Sequence, residues 1–287
     1  MKDPTAAVRL REAQNADGGW GYFPGKQSWL EPTFYAAIAL QGEPAADRAW
    51  TLLKSWQSPD GGWRPSADVQ VPSWSTSLCV RLAQSRGEFG EPFQKGVSWL
   101  LSSAGNEAPL WWRMLLKTKL VGTSDRDLNY IGWPWKPNSA SWVEPTAQAI
   151  IALKQAAPKV SKSNLWNRVR TGEAHLMDVR CSDGGWNVGN RAARAQDLVA
   201  YPETTAIALL GLQGHKDLDK SVDLAARMAR DTISPLARAW LTIALKIYGV
   251  DVPAPTTQTT SSPETMIASL SIIAEDKADF FRTGVAT

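Results

Sequence analysis

Apolar residues recur along this chain at i, i+3, i+4 and i+7, the spacing of a helix with a buried face, and almost no stretch alternates with the period of a strand. The pattern predicts an all-α fold of about twelve helices, beginning near Pro4, Pro32, Pro44, Ser73, Glu91, Ala108, Pro145, Ser161, Pro202, Leu218, Pro235 and Pro263. Proline or serine stands at many of these starts. That fits a helix N-terminus, where proline's missing N–H leaves no hydrogen bond unmade. The helices are of two kinds. Those over 32–40, 145–153 and 202–212 are apolar nearly all round, so every side must be covered, whereas those over 46–57 and 218–230 carry charge along one face.

The pattern also repeats. Residues 19–40 and 132–153 are one segment written twice, 113 positions apart, with 12 of 22 positions identical. The shared core is Trp29-Leu30-Glu31-Pro32-Thr33 in the first copy and Trp142-Val143-Glu144-Pro145-Thr146 in the second. Shorter copies lie between: Gly62-Trp63 leads to Thr76 as Trp20 leads to Thr33, and Gly185-Trp186 leads to Thr205 after an insertion of six residues. An Asp-Gly-Gly stands before Trp20, Trp63 and Trp186 and reads as the turn that closes the preceding helix, since glycine takes left-handed geometry without strain. Hairpins with the all-apolar helix inside and the amphipathic helix outside predict an (α/α)6 barrel, or α/α toroid. It would be one domain over 1–287, with repeats starting near 4, 44, 91, 145, 202 and 235. The Pro/Thr/Ser-rich stretch 251–263 reads as a surface loop before the last helix.

Composition narrows the partners. A net charge of +3 with no basic run argues against nucleic acid. Cys79 and Cys181 form neither a disulfide framework nor a metal-ligand spacing, and suit a reducing cytoplasm. No stretch is long and apolar enough to span a bilayer, but Leu110–Lys119 sets Trp111 and Trp112 beside Arg113, Lys117 and Lys119. Such a segment either lies on a membrane surface or packs as an outer helix. The expected location is cytoplasmic; a packed outer helix is the preferred reading of that segment, and peripheral membrane contact is the alternative. The 15 tryptophans are the outlier in the composition. Indole faces attract cations, so a cavity walled by them suits a positively charged or electron-rich apolar ligand.

The Gln14…Trp20, Gln57…Trp63 and Arg180…Trp186 repeats resemble those of the terpene cyclase and prenyltransferase superfamily, typified by squalene-hopene cyclase and the protein prenyltransferase β subunits. The resemblance covers most of the chain and implies that these Gln/Arg and Trp residues tie down the outer helices. Class II terpene cyclases protonate an alkene with the middle aspartate of an Asp-x-Asp-Asp-Thr motif. That motif is absent here, and aligning its threonine puts Glu144, Glu31 and Glu203 at the middle aspartate's place, with Trp74 there in the second repeat. The prenyltransferase zinc site has no counterpart: its His-Thr-Cys would fall on Thr204-Thr205-Ala206. No metal and no cofactor are expected.

A carboxylic acid stays protonated near neutral pH when apolar walls penalise its charged form. Glu144 is therefore the first candidate acid, then Glu31 and Glu203. Tyr22, Trp29, Trp74, Trp133, Trp135, Trp142 and Tyr201 are the candidate lining for an isoprenoid or other apolar small molecule. A plainer reading gives each glutamate only a first-turn role beside the helix dipole. The functional alternatives are a class II-like terpene cyclase and a non-catalytic barrel that binds a lipid, peptide or protein.

Overall fold

The computed structural model describes residues 4–107, 127, 129–189, 192–193, 196–252 and 264–284. Its helices are α1 (Pro4–Glu12), α2 (Leu30–Ala39), α3 (Pro44–Ser55), α4 (Thr76–Ser85), α5 (Glu91–Ser102), α6 (Val143–Ala156), α7 (Leu165–Asp178), α8 (Pro202–Gly211), α9 (Asp219–Asp231), α10 (Pro235–Ile247) and α11 (Thr265–Asp276). Short 3₁₀ turns follow at Ala157–Lys159 and Ala278–Phe281. The expected helix from Ala108, the Leu110–Lys119 segment and most of the 251–263 stretch lie outside the described residues. Among the described residues no helix is long and apolar enough to cross a membrane.

Two kinds of helix occupy two shells. Helix α6 buries twelve of its fourteen residues and α8 eight of its ten. By contrast α9 buries only Ser221, Ala225 and Ala229, a stripe at i, i+4 and i+8. The buried helices follow one another in space: α2 packs on α4, α4 on α6, α6 on α8, α8 on α10, α10 on α11, and α11 returns to α2. Outside them, α3 lies on α2, α5 on α4, α7 on α6 and α9 on both α8 and α10, with α1 against α11.

The same ring is stitched at the N-terminal ends of the inner helices. Backbone amides of Leu30, Trp74, Val143 and Thr265 donate to the carbonyls of Pro65, Trp135, Val188 and Tyr22, each two residues past a repeat's Gly-Trp tryptophan. The opposite end is closed by the C-terminal 3₁₀ turn. Gln155 Nε2 donates to the carbonyls of Phe280 and Arg282, Gln213 Nε2 to that of Phe281, and Lys277 Nζ to that of Ile38. Phe281 is thereby sunk between Trp240 and Arg81.

Two expectations are corrected. The Asp-Gly-Gly turn sits five residues beyond the helix end, at 17–19 after Glu12 and at 60–62 after Ser55, so it does not cap the helix. It closes a tight loop instead: the Asp17 and Asp60 carboxylates accept from Gly19 and Gly62 amides, while Gly18 and Gly61 take φ of +93° and +95°. Within the insertion before Thr205 lies a two-stranded antiparallel pair, Ala192–Ala193 with Gln196–Asp197, that helical periodicity does not reveal.

Candidate active site at the inner-helix N-termini

The repeat spacing has a geometric cause. In all four repeats the backbone N–H of the Gly-Trp tryptophan donates to the threonine at the next inner-helix start: Trp20 to Thr33 at 2.9 Å, Trp63 to Thr76 at 2.8 Å, Trp133 to Thr146 at 2.8 Å and Trp186 to Thr205 at 3.0 Å. Each indole Nε1 then donates to a leucine carbonyl near the end of an outer helix, at Leu10, Leu53, Leu100 and Leu176. Gln14 and Gln57 each add a bond to the first turn of the next outer helix, at Ala45 and Pro92, and Arg180 reaches Asp217 ahead of α9. These contacts fix where α2, α4, α6 and α8 begin. Two residues before the threonine therefore stand four equivalent side chains, Glu31, Trp74, Glu144 and Glu203, at one end of the ring.

Trp133 is corrected by this geometry. It is 2% exposed, and its indole is bonded to Leu100 with the Arg168 guanidinium 3.3 Å from the ring centroid. It is the fourth buried structural tryptophan, and its ring faces the outer helices, away from the glutamates. Gly172 of α7 allows the approach, since a Cβ there would stand 2.6 Å from the Trp133 ring.

The other candidates gather at the N-terminal end. Glu31, Glu144 and Glu203 are each half-buried, walled by protein on most sides and open to solvent on one. The Tyr22 hydroxyl donates to Glu31 Oε2 at 2.6 Å, and its ring centroid lies 6.3 Å from that of Trp29. Trp74 and Trp135 meet edge to face at 5.0 Å. Trp29, Trp74 and Trp142 are half-buried, while Tyr22, Trp135 and Tyr201 are 38%, 37% and 49% exposed and form the outer rim.

The electrostatics separate the carboxylates. Burial pushes Glu144 up to about 8, and the charges of Glu31 and Glu203 push in the same direction. Glu31 is raised as well, again by burial first, but the Tyr22 hydroxyl stabilises its ionised form and works against the shift. One carboxyl is thus neutral near pH 7 while its neighbour is equipped to accept hydrogen bonds. Among the described residues no group of three or more His, Cys, Asp and Glu is placed to hold a metal ion.

One turn beneath this end lies a polar cluster absent from the sequence expectations. Arg81 of α4, 1% exposed, donates Nη1 to Gln148 Oε1 of α6 at 2.7 Å, and Gln148 Nε2 donates to the Tyr35 hydroxyl of α2 at 3.2 Å. Phe280 and Phe281 stack on the guanidinium at 4.6 and 4.4 Å. The ring axis below the glutamates is therefore filled with side chains. A signal existed: Tyr35 and Gln148 occupy the same position in the two long repeat copies.

No protein-family model matches the chain. A drimenyl diphosphate synthase from Streptantibioticus cattleyicolor is 46% identical over 67 residues, which is 22% of this chain and 13% of that enzyme. A point variant of the type II terpene cyclase MstE from Scytonema, solved with geranylgeranyl dihydroxybenzoate, superimposes with a TM-score of 0.52 at 18% identity, over 94% of this chain and 76% of that one. The chain has the fold of the type II terpene cyclases. A glycosidase bound to glucose shares that fold, with a TM-score of 0.57 at 12% identity over 98% of this chain and all of that one, so fold alone does not choose the chemistry.

Proposed function

We propose that this chain is a terpene cyclase-like (α/α)6 barrel that binds an isoprenoid at the N-terminal end of its inner helices and starts cyclization by protonation. The observation that carries the reading is Glu144, half-buried, held neutral near pH 7 and flanked by Glu31 and Glu203 within a rim of Trp29, Trp74, Trp142, Trp135, Tyr22 and Tyr201. The likeness to enzymes named as drimenyl diphosphate synthase and type II terpene cyclase supports it.

In this reading the Glu144 carboxyl proton passes to the less substituted carbon of a terminal alkene. The alkene π electrons form the new C–H bond and leave a tertiary cation, which the π electrons of the next alkene capture to close a ring. Aromatic faces stabilise the positive charge, and loss of a proton from the final cation restores neutrality. The open side of Glu144 lets solvent return its proton. Glu31, with Tyr22 donating to it, stays the acceptor of the pair.

The test is incubation in D₂O with farnesyl diphosphate and with geranylgeranyl dihydroxybenzoate. A cyclic product carrying one solvent deuteron, formed by wild type and lost in Glu144→Gln, is expected. A product without deuterium, or undiminished turnover by Glu144→Gln, refutes the acid assignment. The second reading, a binding barrel without chemistry, is favoured by the filled axis, and it stands if an isoprenoid binds but no cyclic product forms.

A further inference from the structure

The buried cluster below the glutamates is in register with them. On α2, Tyr35 lies one turn below Glu31; on α6, Gln148 lies one turn below Glu144; and side chains four apart share a helix face. Arg81 has only donors, so Gln148 must turn its carbonyl oxygen toward it and its NH₂ toward Tyr35, whatever way the amide is drawn. The Tyr35 oxygen is then an acceptor on that side, and its own hydrogen has to point elsewhere. The ring cannot swing, because Phe34 at 4.8 Å and Trp240 at 5.6 Å hold it edge to face. Glu31 and Glu144 both act on the phenol, which burial and their two charges hold well above its usual value.

We propose that Tyr35 is a positioning residue for the Glu31–Glu144 pair: the Arg81–Gln148–Tyr35 chain turns the phenol hydrogen toward the inner-helix N-termini, where it supports Glu31 as the hydrogen-bond acceptor and leaves the proton with Glu144. The inference rests on the reading above for its use in catalysis, but the arrangement exists without substrate. Tyr22 donates to Glu31 from the rim and the Tyr35 phenol faces the pair from one turn below, so the two carboxyls are treated unequally from both sides. Among the described residues, the other charged groups at this end are Glu203 on α8, Arg238 one turn into α10, and Glu264 just before α11; α4 contributes Arg81 itself.

The test is carboxyl NMR on protein labelled with ¹³C at the glutamate side chain, titrated without substrate, with the two signals assigned through Glu31→Gln and Glu144→Gln. Wild type is expected to show two separated steps. In Tyr35→Phe the steps should converge by about half a pH unit or more, because Glu31 loses the oriented O–H dipole that favours its ionised form. Arg81→Met should act in the same direction, and Arg81→Lys, which keeps a donor for Gln148, should resemble wild type. Gln148→Met keeps the volume and breaks the chain, and serves if Tyr35→Phe fails to fold. Steps that superimpose on wild type in a folded Tyr35→Phe or Gln148→Met protein overturn the proposal, since a purely packing role moves neither. Turnover answers a separate question: converging steps in a protein that cyclizes nothing would leave this arrangement standing and remove the function proposed for it.

Discussion

The backbone amide of Thr265 donates to the carbonyl of Tyr22 at 3.0 Å, joining the first residue of the last helix to the loop that carries the Glu31 hydrogen-bond donor. Three other inner-helix starts make the same bond to the following repeat. The rim that holds the candidate acids is therefore a continuous hydrogen-bonded seam, and its local chemistry is testable at single residues.

The elevated Glu144 gives stability a definite pH dependence. An unfolded chain titrates this carboxyl near 4.5 and the folded chain near 8, so between these values the folded state holds more protons. The cost of burying the charge is absent below 4.5 and reaches its full size as pH rises through about 8. Wild type should lose melting temperature between pH 5 and 8.5 more steeply than Glu144→Gln. At pH 8.5 the variant should be the more stable by about 1–2 kcal/mol, less than 1.36 kcal/mol per pH unit would give because the group is partly open to solvent. Parallel curves in thermal melts would show that Glu144 titrates normally.

Glu203 acts on Glu144 as a like charge that raises it. Glu203→Gln should therefore move the alkaline limb of the cyclization rate toward lower pH, leaving the rate on the acidic plateau within about threefold. A pH–rate profile that shifts upward, or not at all, contradicts the convergence of the two carboxylates.

Thr146 accepts the buried Trp133 amide at 2.8 Å. Thr146→Val keeps the shape but leaves that donor unmatched, so chemical denaturation should show a loss of about 1–3 kcal/mol. Thr33→Val should cost a similar amount through Trp20. A neutral result at both positions would mean that the thirteen-residue spacing has some other cause.

Gly172→Ala places a methyl 2.6 Å from the Trp133 ring, with two further contacts to Ile150 at 3.2 Å. Both neighbours are packed in the core, with Trp133 held by its bond to Leu100, so a loss of about 1–3 kcal/mol is expected in the same assay. Stability unchanged within about 0.5 kcal/mol would show that α7 can move away.

The inner and outer helices were legible because burial on every side leaves a different residue pattern from burial on one stripe. Expected and observed starts agree closely at Pro44, Glu91, Pro202 and Pro235, where proline marks the first turn. Trp133 was misplaced because its repeat lacks the Asp-Gly-Gly lead-in that marks Trp20, Trp63 and Trp186. Its distance to Thr146 held the needed signal. Arg81, Gln148 and Tyr35 escaped notice because a polar residue in an apolar helix shows its partners only once three helices are brought together. The clustering of Glu31, Glu144 and Glu203 was foreshadowed by the repeat. The first rank of Glu144 was foreshadowed too, but the Tyr22 hydrogen bond that sets Glu31 apart was not, since it depends on how the loop before α2 folds back.

The seam between Thr265 and Tyr22 also sets a timetable. Helices α2, α6 and α8 are greasy on every side, and α2 finds its last neighbour only when α11 arrives. At synthesis rates of about 5–20 residues per second, more than 220 residues separate those two helices, so the emerging chain spends some ten seconds or more with an open arc of apolar helices. During that interval the arc exposes apolar surface, and a chain cut short before α11 should aggregate more readily than the full one.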